Sequence, residues 1–168
     1  GLLIYPNPPA EQRAGGILPL ENGDVLVSLF GWCGQRPDPT DMGMLDYART
    51  LPQGEIAQFL EQAERTSDLK SFTYKEARRL RVDRTALPPR TCILGDALCS
   101  VDPVFGQGMT LAALQAEELA NCFSNASDLE KAAQHFNRRA LHVTNSAWLL
   151  STGEDFRYPD VQGKRPIG

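Results

Sequence analysis

The chain reads as an α+β segment, and three observations lead there. Gly16-Ile-Leu-Pro-Leu20 and Asp24-Val-Leu-Val-Ser-Leu-Phe30 are separated by Glu21-Asn22-Gly23, and Asn-Gly tolerates positive φ at both central turn positions, which predicts a β-hairpin. A short apolar run from Thr91 to Leu94 ends on Gly95-Asp96, ahead of a loop with Pro103, Gly106 and Gly108. Two long stretches, starting near Gln107 and Asp128, carry apolar residues at helical spacing. Hairpin, helix pair, strand and long helices together form the α+β pattern.

Composition bounds the function. A hydrophobic share of 42% and a charged share of 23% are near globular averages, so a packed core is expected. A net charge of −4 leaves no electrostatic footprint for nucleic acid, and no apolar run is long enough to span a membrane. Cys33, Cys92, Cys99 and Cys122 lack paired Cys-x-x-Cys spacing, and His135 and His142 lie far from them in sequence, so no metal site is expected. Four reduced thiols in a cytoplasmic protein is the corresponding expectation. The chain opens on Gly1 and an apolar run, and it ends in Gly163-Lys-Arg-Pro-Ile-Gly168, which closes no element. A segment of a longer protein is the expectation that follows.

In chain order, Leu2 to Tyr5 predicts a strand stopped by Pro6, Pro8 and Pro9. In the second hairpin strand both faces are mostly apolar, which predicts cover on both sides. Asp41 is expected to cap a helix through Leu51, with Met44, Leu45, Ala48 and Leu51 on one stripe. Pro52 and Gly54 break it before a second helix that carries Ile56, Phe59, Leu60 and Ala63. Ser71-Phe-Thr-Tyr-Lys-Glu-Ala77 alternates aromatic and polar residues and predicts another strand. Arg78, Arg79, Arg81 and Arg84 follow, either as a solvated strand end or as partners of a carboxylate or of a ligand's anionic group. The helix to Phe123 is expected to bury Leu111, Leu114, Leu119 and Cys122. A last helix is expected from Asp128 to Leu150, with Leu129, Ala133, Phe136, Ala140, Val143 and Ala147 inward. An aperiodic tail begins at Ser151.

The Gly95–Met109 stretch carries the chemistry. An Asp at the carboxyl end of a strand is placed where open sheets bind ligands, and its carboxylate accepts from sugar or polyol hydroxyls. Gly106 and Gly108 let backbone N–H groups approach an anion or a carbonyl oxygen, and the following helix contributes the positive end of its dipole. Pro103 stiffens the loop between them. Walker A is excluded because Met109-Thr110 follows Gly108 where Lys is required, and the Rossmann fingerprint is excluded by Leu111 and by the distance from the strand.

The full spacing is more specific. Gly95-Asp96-Ala97, five residues, Pro103, two residues, then Gly106-Gln107-Gly108-Met109 and an alanine-rich helix resembles the second FAD motif of the flavin monooxygenases. That superfamily of aromatic hydroxylases and epoxidases has the para-hydroxybenzoate hydroxylase-like, FAD/NAD(P)-binding fold. Family members often carry His at the position of Cys99, Asn at that of Thr110 and Asp at that of Gln115, so this chain departs there. The resemblance implies a division into a substrate-side region over 1–87, the FAD motif and its helices over 88–150, and a tail over 151–168. It further implies that Gly95, Asp96, Pro103, Gly106, Gln107, Gly108 and Met109 contact FAD. Asp96 would serve the ribityl or phosphate region, Pro103 the ring face, and Gly106 to Gly108 the pyrimidine end.

Because the flavin carries the chemistry in that family, no catalytic side chain is expected. The implied activity is hydroxylation or epoxidation of an apolar or aromatic small molecule with oxygen and NAD(P)H. A flavin-dependent reductase or halogenase of the same superfamily is the second enzymatic reading. A non-catalytic module is the third, supported by the lack of a Gly-x-Gly-x-x-Gly motif. The partner implied for this segment is the N-terminal FAD-binding half of the same protein, without which it would bind FAD weakly and be inactive. For Cys99, a buried thiol and a redox or covalent-flavin role are both open. Trp32 and Trp148 read as core or as pocket lining. So do Tyr5, Phe30, Phe72 and Tyr74.

Overall fold

The computed structural model describes residues 1–165; the end of the expected tail, 166–168, lies outside the described residues. The fold mixes helices with small sheets, as an α+β chain should. Its contacts divide into two compact units, one of Gly1–Thr73 with Arg157–Gln162, the other built on Tyr74–Phe156.

The first unit is a three-stranded antiparallel sheet covered on one face by two helices. Strands β1 (Leu2–Ile4), β2 (Arg13–Pro19) and β3 (Val25–Gly31) lie in that order. Leu3 stands opposite Gly16, and Ile17 opposite Val27. The expected hairpin joins β2 to β3, but through the three residues Glu21-Asn22-Gly23, with Gly23 left-handed at φ 87° and Asn22 not, so the expected pair of positive-φ positions is reduced to one. Alternation along the strands sends Leu2, Ile4, Ile17, Val27 and Leu29 toward helices α1 (Asp41–Arg49) and α2 (Glu55–Gln62), which supply Tyr47, Ala48, Leu51, Ile56 and Ala57. Gly15 leaves room at the centre of this contact: a Cβ there would lie 2.8 Å from Leu29 Cδ2 and 2.9 Å from Ile56 Cδ1, so those side chains would have to shift.

Two expectations for this unit need correction. Leu3, Leu18 and Leu26 on the outer face are exposed, so β3 is not covered on both sides. It is an edge strand, and the helices pack on one face only. The cap of α1 is Thr40, whose Oγ1 accepts the Gly43 N–H at 3.0 Å. Asp41 becomes the first helical residue, where a negative charge suits the helix dipole. The Tyr47 hydroxyl donates to Phe30 O at 3.1 Å, and burial pushes its pKa up to about 12. Trp32 stacks on Tyr158 with centroids 5.5 Å apart and meets Phe30 edge-on, so it packs rather than lines an opening.

The strand expected over Ser71–Ala77, a stretch that runs from the end of the first unit's Gly1–Thr73 into the second, does not form. Those residues are irregular, Phe72 is 89% exposed, and the ladder is limited to β4 (Arg78–Arg79) against β5 (Cys99–Ser100). Alternation supplied a suitable face, but β5 offers only two residues to pair with. Tyr5 is exposed as well, so neither it nor Phe72 belongs to a core. The arginines divide between roles. Arg79 sits in the ladder with its guanidinium half-buried, and it donates to Leu141 O at 2.7 Å and to Asn145 Oδ1. Arg81 pairs with Asp83 at 2.8 Å.

Three helices complete the unit: α3 (Gly108–Phe123), α4 (Leu129–Val143) and α5 (Asn145–Asp155). Asp128 caps α4, accepting the Glu130 and Lys131 N–H groups. Outside the core, Glu118 of α3 pairs with Arg139 of α4. The single helix expected to Leu150 is interrupted at Thr144, whose buried hydroxyl donates to Leu141 O at 2.7 Å and closes α4. A new helix then carries the chain to Asp155, through residues expected to be aperiodic. Leu98, Cys99, Val101, Leu111, Phe136, Ala140, Leu141 and Ala147 form the core. Leu114 and Leu129, expected inward, are exposed; on α3 the inward position is taken by Gln115. Phe136 is fully buried at the centre. Phe136→Ala should cost about 3–5 kcal/mol, read as a lowered urea midpoint with an unchanged slope.

Candidate functional site

The site is built on the chain from Thr91 to Met109. Thr91–Leu94 is extended, with Leu94 at φ −146° and ψ 172°, yet it joins no sheet among the described residues. Its backbone is satisfied by side chains instead. The Asn137 amide acts as a short surrogate strand: Oδ1 accepts the Ile93 N–H at 3.0 Å and Nδ2 donates to Thr91 O at 2.7 Å. Gln115 Oε1 accepts the Gly95 N–H at 2.6 Å. Further on, the Asp102 N–H donates to Ser151 Oγ at 3.0 Å. Each of the three helices therefore sends one buried polar side chain to the same stretch of backbone, Gln115 from α3, Asn137 from α4 and Ser151 from α5.

Gly95 is left-handed at φ 61° and opens a 3-10 turn through Ala97, closed by Leu98 N–H to Gly95 O at 3.0 Å. Asp96 sits on that turn, exposed, and no hydrogen bond or ion pair among the described residues engages its carboxylate. Asp102 accepts the Val104 N–H at 2.9 Å and so caps a second 3-10 turn, Pro103–Phe105, with Pro103 at its start. Gly106, left-handed at φ 64°, ends it. Gln107 is the N-cap residue of α3 but offers no side-chain cap. The first helical bond runs from Leu111 N–H to Gln107 O at 2.9 Å, which leaves the earlier amides for solvent or a ligand.

A Cβ at Gly106 or Gly108 would meet nothing within 4 Å, so the approach to the helix start is open, but the Gly106 N–H, expected to serve a ligand, is already donated to Pro103 O at 2.9 Å within the turn. Met109 is 86% exposed beside them, and Gln107 Oε1 is buried with no partner among the described residues. Helix α3 packs against the Gly95 turn. Gln115 lies seven residues beyond Gly108, so the two ends of the site are about 10 Å apart along the helix axis.

Sequence reasoning placed Gly95, Asp96, Pro103, Gly106, Gln107, Gly108 and Met109 in one loop system, and the fold arranges them as two turns and a helix start on one helical scaffold. It missed the residues that hold this scaffold. Asn137 sits on the stripe Ala133, Phe136, Asn137, Ala140, and Gln115 on the stripe Leu111, Gln115. A polar residue on an apolar helical stripe was the available signal. Cys99 resolves toward packing, since it is buried and burial pushes its thiol pKa up.

A model of the tryptophan halogenase family matches residues 47–150, more than half of the chain. The chain belongs to that family. A curated relative, Protein Rv3254 of Mycobacterium tuberculosis (strain ATCC 25618 / H37Rv), is 29% identical over 152 residues, covering 88% of this chain and 32% of that protein. The chain thus spans about a third of that relative's length. Tryptophan halogenases are flavin-dependent and related to the FAD-dependent oxidoreductases, so membership implies an FAD-binding fold. No described helix is long and apolar enough to cross a membrane. No cluster of metal-ligating side chains occurs among the described residues.

The residues present in this halogenase-family chain fit that cofactor. They combine an unengaged carboxylate, uncapped helix amides and a buried acceptor without a donor, a mixture of acceptors and donors suited to hydroxyls and polarised ring atoms. Two outcomes test the scaffold. Asn137→Leu should destabilise the chain by about 1–3 kcal/mol, because Ile93 N–H and Thr91 O lose their partner, measured by urea denaturation. Iodoacetamide with mass spectrometry should label exposed Cys33 before Cys99 at pH 8, with Cys99 labelling rising only at more alkaline pH, since its neutral form is favoured by burial.

Proposed function

We propose that Gly95–Met109 forms one wall of an FAD site, in an oxidoreductase that halogenates or oxygenates an apolar or aromatic small molecule. The reading rests on one observation. The Asp96 carboxylate is exposed and unengaged on a turn fixed against α3, the helix whose own first turn is uncapped. In this proposal Asp96 accepts hydrogen bonds from the ribityl or adjoining phosphate region. Amides at Gln107 and Gly108 donate to the pyrimidine end of the ring, where the helix dipole favours negative charge, and Gly106, its own N–H held by Pro103 O, leaves room for the approach. Pro103 stiffens the loop at the ring face, and Met109 adds apolar contact.

Bound FAD supplies the redox chemistry with oxygen, and NAD(P)H is the proposed source of electrons. The chain's own groups bind, orient and shield; none acts as a nucleophile. A dinucleotide-binding motif is absent from this sequence, so the ADP half of the cofactor is assigned to another part of the protein. Family membership favours halogenation, while the Gly95–Met109 spacing suits an oxygenase equally. Product mass with and without chloride or bromide separates the two.

For the flavin site itself, Asp96→Ala in the full-length protein should weaken FAD binding by about 1–3 kcal/mol, roughly fivefold to 150-fold. Flavin fluorescence titration reads the change, and an unaltered dissociation constant would remove Asp96 from the site.

A further inference from the structure

We infer that Gln115 is a positioning residue for the flavin site: its carboxamide oxygen holds the Gly95 N–H and thereby aims the Asp96 carboxylate. The inference rests on the flavin reading above and extends it to a residue that would not touch the cofactor.

Gly95 is where the direction of the turn is decided. It is left-handed, at φ 61°, a conformation that glycine reaches as readily as its right-handed counterpart, so the residue does not specify its own geometry. Asp96 follows directly and has no tether of its own among the described residues. Its position therefore depends on the two groups that hold the turn, the Gly95 carbonyl, which accepts from Leu98 N–H at 3.0 Å, and the Gly95 N–H. The hydrogen bond recorded for that N–H runs to Gln115 Oε1, at 2.6 Å.

Gln115 is 0% exposed, on the core-facing side of α3. Its other amide atom, Nε2, is buried without a partner among the described residues. For stability alone this is a poor arrangement: an unsatisfied buried donor costs more than an apolar side chain of the same length would. A glutamine there makes sense if what it delivers is the orientation of Gly95. Local cost exchanged for fixed geometry is a pattern of functional sites. Asn137 acts upstream, on Thr91 and Ile93, and sets the path of the segment. Gln115 holds the Leu94–Gly95 peptide, and the next one, Gly95–Asp96, is held at its carbonyl by Leu98 N–H.

A double-mutant cycle in the full-length protein tests this, with FAD as the titrant and Gln115→Met as the probe. Methionine keeps the length and the helix propensity and removes the acceptor. Gln115→Met should raise the FAD dissociation constant about tenfold with Asp96 present, but by less than about twofold in the Asp96→Ala background, because its effect passes through Asp96. An equal loss in both backgrounds means general loosening of the fold and overturns the inference. No loss with Asp96 present overturns it too.

The two readings fail separately. If Asp96→Ala alone leaves FAD affinity unchanged, the flavin role of Asp96 falls and this inference with it. If Asp96→Ala weakens binding while the cycle is additive, the inference alone falls. Should Gln115→Met not fold, amide hydrogen exchange on the unsubstituted, FAD-free protein decides. The Gly95 N–H should exchange at least about a hundredfold more slowly than in an unstructured peptide; exchange at the unstructured rate overturns the inference.

Discussion

Everything at the site depends on a substitution of side-chain amides for a missing sheet partner. An extended, apolar segment such as Thr91–Leu94 ordinarily satisfies its backbone by joining a ladder. In this structure Asn137 bonds to both Thr91 O and Ile93 N–H, and Gln115 takes Gly95 N–H at the end of the run. Buried backbone groups without partners are expensive, so these contacts keep the segment extended. The same contacts bring it against α3 and α4, and through that packing the Gly95 turn and the α3 start share one rigid support. Ser151 extends the arrangement to α5 by holding Asp102, which in turn caps the turn that begins at Pro103.

Beside that support the fold separates rigid from open. The second unit's core centres on Phe136, Leu98 and Leu141, all buried. Asp96, Gly108 and Met109, by contrast, lie at the surface. Asp96 is left without an internal partner, while the turn that carries it is held from behind by Gln115 and Leu98. The first unit has a similar division in another form. Its sheet packs one face on α1 and α2 and leaves Leu3, Leu18 and Leu26 exposed on the other.

Much of this was legible in the residues, where local physics decides the outcome. The hairpin turn over Glu21-Asn22-Gly23 formed because a glycine stands at its one left-handed position, Gly23 at φ 87°. Helix α4 began at Asp128 because an Asp can take two orphan amides. The spacing from Gly95 to Met109 pointed to flavin, and membership of a flavin-dependent family agrees with it. The failures were all matters of partnership. Ser71–Ala77 had the period of a strand but no strand to pair with. The final helix had an unbroken stripe, yet Thr144 found a carbonyl for its hydroxyl and ended the helix there.

The sequence by itself therefore determined the α+β mixture, the hairpin, the order of turns and helix start at the site, and the family-like motif. These depend on dihedral preference, periodicity and spacing along the chain, which are local properties. Only the tertiary structure decided that Asn137, Gln115 and Ser151, distant from the motif in sequence, hold its backbone. It also decided that β3 has an uncovered face and that Cys99 is sealed in the core. Hydrogen bonds between residues twenty or more apart, and the burial of one helical face rather than its neighbour, arise only once the helices are packed, and no pattern within a single segment encodes them.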